Sequence, residues 1–139
     1  MTFSSLVTSL LGLCIALTIT FVLLIGVEMY SAVVHPFPED FSGTTEAICQ
    51  HVEKYPGWVL LTVLPMWGLI AFVGTWISIK LGTWASGYAM GALLVLALLA
   101  NIWMLPYPLW FKAAQPAIVM GAIFVALGTP RRSGGNAIL

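Results

Sequence analysis

Four runs of apolar residues, each long enough to cross a lipid bilayer, constrain this chain more than any other feature. They cover residues 6–34, 58–79, 84–105 and 109–128. A helix rises about 1.5 Å per residue, so roughly 20 apolar residues traverse a hydrocarbon core of ~30 Å. Inside lipid no water pairs with backbone N–H and C=O groups, so each run is expected to close its own hydrogen bonds as a helix. Composition agrees. Of the 139 residues, 60% are hydrophobic and 7% charged, whereas a water-soluble domain carries about a quarter of its residues as charges. The formal net charge is zero, which excludes the basic surface a nucleic-acid binder needs. The lipid bilayer is therefore the first expected partner.

The expected fold is all-α: a four-transmembrane-helix bundle forming a single membrane domain over residues 1–139, with a short amphipathic helix in the long first extracytoplasmic loop. The spans are expected at about 5–34, 57–80, 84–105 and 108–128, and the loop helix at about 45–55. The first run has no Lys or Arg ahead of it and exceeds the roughly 7–15 residues of a signal-peptide core, so it reads as a retained span. Residues 80–83 and 106–108 are tight turns, which force sequential spans to lie antiparallel; residues 35–56 form a long polar connection.

Four crossings put both termini on one side with Lys80, Arg131 and Arg132, against Lys54 and Lys112 on the other, together with Glu39, Asp40, Glu46 and Glu53. The basic excess, concentrated just after the last span, places the termini in the cytoplasm and residues 35–56 outside. Within that loop Thr44 is a candidate N-cap and Glu46 suits the first turn of a helix. Ile48, Val52 and Tyr55 recur on one face, giving a helix that lies on the membrane surface or caps the bundle.

Tyr55-Pro56-Gly57-Trp58 opens the second span and Tyr107-Pro108-Leu109-Trp110 the fourth, each followed by an intramembrane proline, Pro65 or Pro116. A duplicated hairpin would produce this echo. So would convergence, because Pro suits a helix start and Tyr and Trp favour the membrane interface. Gly87 and Gly91, and Gly68, Ala71 and Gly74, form small-residue faces suited to close helix approach, within the chain or against another copy.

The polar residues inside the spans gather at one depth. Glu28, Asn101, Lys112 and Gln115 all fall within about 5–12 Å of the outer end of their helices, and His35 shares a helix face with Glu28. A carboxylate in hydrocarbon costs about 2.5–3.5 kcal/mol on insertion scales and calls for a reason. Two readings compete for these five candidate ligand-binding residues. In one, Glu28 and Lys112 form a structural ion pair completed by Asn101 and Gln115. In the other, Glu28 faces an outward cavity and binds a cation, proton or polar ligand.

Metal chemistry has weaker support. His35, Glu46 and Glu53 are the candidate ligands, yet no HExxH or CxxC pattern is present and a solvated acidic face explains the carboxylates. No cofactor is implied. His51 reads as an interfacial side chain, and Cys14 as a small buried one.

The stretch Val27-Glu28, His35-Pro36-Phe37-Pro38, Glu46, His51-Val52, Tyr55-Pro56 and Leu105-Pro106-Tyr107-Pro108-Leu109-Trp110-Phe111-Lys112 resembles small four-span proteins of the bacterial inner membrane that have no established activity. The resemblance implies the topology and the membrane, not a function. Small multidrug-resistance transporters also combine four spans with a glutamate in the first, but the long acidic loop and Lys112 depart from their pattern. Four-helix quinone reductases that form disulfides are similar in size, but their cysteine pairs are missing here.

No complete catalytic constellation emerges, so no catalytic residue is expected. The first functional expectation is a non-catalytic scaffold or accessory subunit, packed as a homo-oligomer or within a larger membrane complex. The alternative is a binder or transporter of a small cation, proton or polar ligand at Glu28. A metal-dependent membrane enzyme comes third.

Overall fold

The computed structural model describes residues 2–129, so Arg131 and Arg132, which carry much of the orientation argument, lie outside the described residues. Five helices follow one another: α1 (Phe3–Val34), α2 (Thr45–Glu53), α3 (Gly57–Leu81), α4 (Trp84–Met104) and α5 (Leu109–Gly128). Four of them, α1, α3, α4 and α5, are long and apolar enough to cross a membrane. The protein is a multi-pass, all-helical four-span bundle with one short extra helix between the first two spans.

Local chemistry sets the helix ends. Thr2 caps α1 by accepting from the Ser5 N–H, and Thr44 caps α2 by accepting from the Ala47 N–H. Thr83 and Ser86 form a reciprocal capping box at the start of α4. Pro56 and Pro108 occupy the N-cap positions of α3 and α5, where a missing N–H is harmless. Prolines also end two helices early. Leu105, held extended by Pro106, stops α4 at Met104. Tyr55, which precedes Pro56, leaves α2 at Glu53 rather than near 55, its N–H closing a tighter turn onto the Val52 carbonyl.

The four spans form a rhombus in cross-section. α3 packs against α1, α4 and α5, and α4 packs against α1 and α5, whereas α1 and α5 do not touch. The small residues permit these approaches. Gly12 lies against the Leu81–Gly82 backbone, Gly74 against Thr20, Gly87 against Ile79, Gly68 against Ile118 and Gly91 against Ile123. The glycine faces legible in sequence are therefore occupied inside the chain.

Two apolar layers result. Ala16, Ala71, Met90, Leu94, Leu98, Val119 and Ile123 fill the end nearer the termini. Val27, Val59, Leu60, Val63, Leu64, Ile70 and Phe111 fill the end nearer residues 35–56, the loop end. Trp67 packs against both. Among the described residues the terminal half has no buried charge but is not free of polarity. The Ser9 and Thr83 hydroxyls bond at 2.6 Å, and Thr75 and Ser78 are wholly buried.

Candidate functional site

At the loop end the spans do not close on one another. Glu28 and Ser31 from α1, Trp67 from α3, Asn101 from α4 and Tyr107 from the turn before α5 surround a cavity of about 110 Å³, roofed by the α2 segment through Ile48, His51 and Val52. Glu28 lies six residues before the end of α1, about 9 Å along the axis, and is exposed at the rim of the cavity. Ser31, three residues on, presents the same helix face and is buried.

Two Tyr-Pro steps bring phenols to this carboxylate. Because Pro56 and Pro108 cap parallel neighbours α3 and α5 at the same end, the preceding residues, Tyr55 and Tyr107, both fall on the cavity wall. Burial first, and then the negative charge of Glu28 and the neighbouring Tyr55, push the Tyr107 phenol up to about 12, opposed by a side-chain hydrogen bond with Asn101. Tyr55 is raised by burial and by Glu28, with a hydrogen bond to Ser31 opposing. Both phenols thus stay protonated and available as donors or acceptors at neutral pH.

The roof is an aromatic stack. The His51 ring is sandwiched between His35, at 4.3 Å and 21°, and Phe37, at 4.3 Å and 27° between ring planes. Tyr55 leans on His35 at 4.7 Å. His51 is only 7% exposed, which corrects the expectation of an interfacial side chain. Its basicity is lowered by burial and by His35, while a hydrogen bond with the His35 backbone opposes, so the ring is neutral at pH 7. Beyond the roof, His35, Asp40, Gln50 and Lys54 line an outer depression of about 520 Å³. Among the described residues His51 alone lines both spaces. The Cys49 thiol donates weakly to the Met104 carbonyl at 3.9 Å, tying α2 to the end of α4.

The five residues singled out by depth separate on this frame. Glu28 and Asn101 meet at the cavity, and His35 forms part of its roof through the stack. Lys112 and Gln115 do not line it. Among the described residues no ion pair joins Glu28 to Lys112, because their helices, α1 and α5, lie at the far corners of the rhombus. Gln115 is buried to 1%, its Oε1 without a partner.

The metal candidates also stay apart. Glu46 accepts from the Gln50 side chain at 3.2 Å, Glu53 is exposed at the end of α2, and no three His, Cys, Asp or Glu side chains converge among the described residues. The stacked rings of His35 and His51 direct their in-plane lone pairs along nearly parallel planes, which do not meet at one ion.

Sequence reasoning missed Ser31, His51, Tyr55, Trp67 and Tyr107. The repeated Tyr-Pro step was the available signal for the two tyrosines. The i, i+3 spacing from Glu28 was the signal for Ser31. Compared with family models, characterised proteins and solved structures, the chain matches none.

Proposed function

We propose that this chain is a membrane-embedded binding protein for a small cation, with Glu28 as the counter-charge. One observation carries the reading: a carboxylate within a span shares its cavity with buried polar groups, and no lysine or arginine lines that cavity among the described residues. A carboxylate at hydrocarbon depth without a cation is costly, so a site of this kind recruits one. Trp67 packs against both apolar layers at the base of the cavity, which favours binding over open passage.

The cavity is assigned to the extracytoplasmic face of a bacterial inner membrane, with both termini in the cytoplasm. The support is the positive-inside bias of Lys80, Arg131 and Arg132. The scaffold or accessory-subunit reading rested in part on small-residue faces, and those faces pack within the chain.

The test is a titration of the full chain in lipid nanodiscs with the chlorides of monovalent cations, read by tryptophan fluorescence and thermal unfolding. A saturable response in the parent and none in Glu28→Gln is the expected result. No saturable response to any cation, or one that Glu28→Gln leaves intact, refutes the proposal.

A further inference from the structure

The chemistry of the cavity walls narrows the ligand, given the cation-binding reading on which this inference rests. Start with hydrogen bonding. Asn101 Oδ1 and His51 Nε2 are buried atoms with no partner, and both side chains line the cavity. A hydrogen bond with the His35 backbone also acts on the His51 ring; in the tautomer with its proton at Nδ1, Nε2 of the neutral ring is a lone-pair acceptor. Together with the Glu28 carboxylate, the site offers three acceptors that want N–H or O–H donors. An orphaned buried acceptor is costly, so a ligand that donates to these atoms gains over one that does not.

Next, charge and surface. The nearest lysines belong elsewhere. Lys54 lines the outer depression beyond His51, and Lys112 is half-buried on α5 and lines neither space. The remaining walls include the rings of Trp67, Phe111 and Phe37 beside the two tyrosines. Aromatic faces attract an ammonium group and pack against short alkyl chains. Finally, size. At about 30 Å³ per water molecule in the liquid, a cavity of about 110 Å³ takes only a handful of non-hydrogen atoms.

We infer that the cavity binds a short primary alkylammonium: the charged nitrogen donates to Glu28, Asn101 Oδ1 and His51 Nε2, and the alkyl group lies against the aromatic wall. The alternatives fit less of the site. A quaternary ammonium has no N–H and leaves Asn101 and His51 orphaned. A bare alkali ion uses the oxygens of Glu28, Ser31, Asn101 and the two tyrosines but leaves His51 Nε2 and the aromatic wall without a role. A proton neutralises Glu28 but leaves the space and the other acceptors unfilled.

The experiment is selectivity in the parent protein. The full chain in nanodiscs is titrated with ethylammonium, tetramethylammonium, sodium and potassium chlorides at matched ionic strength. Ethylammonium is expected to bind at least tenfold more tightly than the other three. Asn101→Ala, with folding checked by unfolding temperature, should weaken ethylammonium severalfold and leave tetramethylammonium unchanged. If tetramethylammonium, sodium or potassium binds as tightly as ethylammonium in a Glu28-dependent way, the ligand class is wrong while the cation site stands. If no cation binds, both fall.

Discussion

Gly12 and Gly26 lie in the same helix, and the same substitution should act in opposite directions at the two. At Gly12 an added Cβ meets the backbone of Gly82 and comes within 2.9 Å of the Leu81 carbonyl carbon. These are main-chain atoms of the α3–α4 turn, so no side chain can swing aside; α1 itself must move. Overpacking of this kind costs about 1–3 kcal/mol. The shift also strains the 2.6 Å bond between Ser9 and Thr83 one turn away, worth about 1 kcal/mol. Helix propensity returns up to about 1 kcal/mol on replacing glycine by alanine. Gly12→Ala is therefore expected to destabilise by about 1–3 kcal/mol. At Gly26 nothing lies within 4 Å of the new methyl, so only the propensity gain remains and Gly26→Ala should be neutral or slightly stabilising. Denaturant unfolding of both variants in one detergent, compared by midpoint, measures the difference. If Gly12→Ala unfolds at or above the midpoint of Gly26→Ala, the packing of α1 onto the α3–α4 turn is wrong.

Three further outcomes follow from the site. Burial and the adjacent His35 hold His51 below its ordinary pKa, so the undocked loop takes up a proton more readily than the docked one. The stability of the roof, facing His35, Lys54 and Tyr55, is full above about pH 6.5, the unperturbed histidine value, and declines as pH falls below it. Faster amide exchange in α2 on acidification, flattened in His51→Phe, is the expected signature, and a pH-independent rate would contradict it. Lys112→Met should leave cation affinity within about twofold, because Lys112 does not line the cavity; a tenfold change measured by titration would restore the ion-pair reading. At 100 times its dissociation constant, a bound cation stabilises the folded chain by about 2.7 kcal/mol, and thermal unfolding of Glu28→Gln should lose that increment.

Most of the architecture was legible in order of residues. Spans expected at 57–80 and 84–105 appear as Gly57–Leu81 and Trp84–Met104, because lipid leaves the backbone no alternative to a helix and Pro106 dictates where one ends. The α2 cap at Thr44 was visible for the same local reason. The site was legible only in part. Glu28, Asn101 and Lys112 were grouped by depth, a coordinate that counting residues supplies. Their separation is angular, and angle around the bundle axis depends on which helices touch.

That distinction marks the boundary between the two levels of information. The number of spans, their ends, their alternation and the depth of each polar group are local or one-dimensional quantities, set by hydrophobic length, proline and capping side chains. Which groups share a cavity is not. α3 and α4 take the short diagonal because glycines at 12, 74 and 87 let their neighbours approach. The packing that follows holds α1 and α5 apart, removes Lys112 from Glu28 and turns two interfacial tyrosines inward beneath a stack of His35, His51 and Phe37.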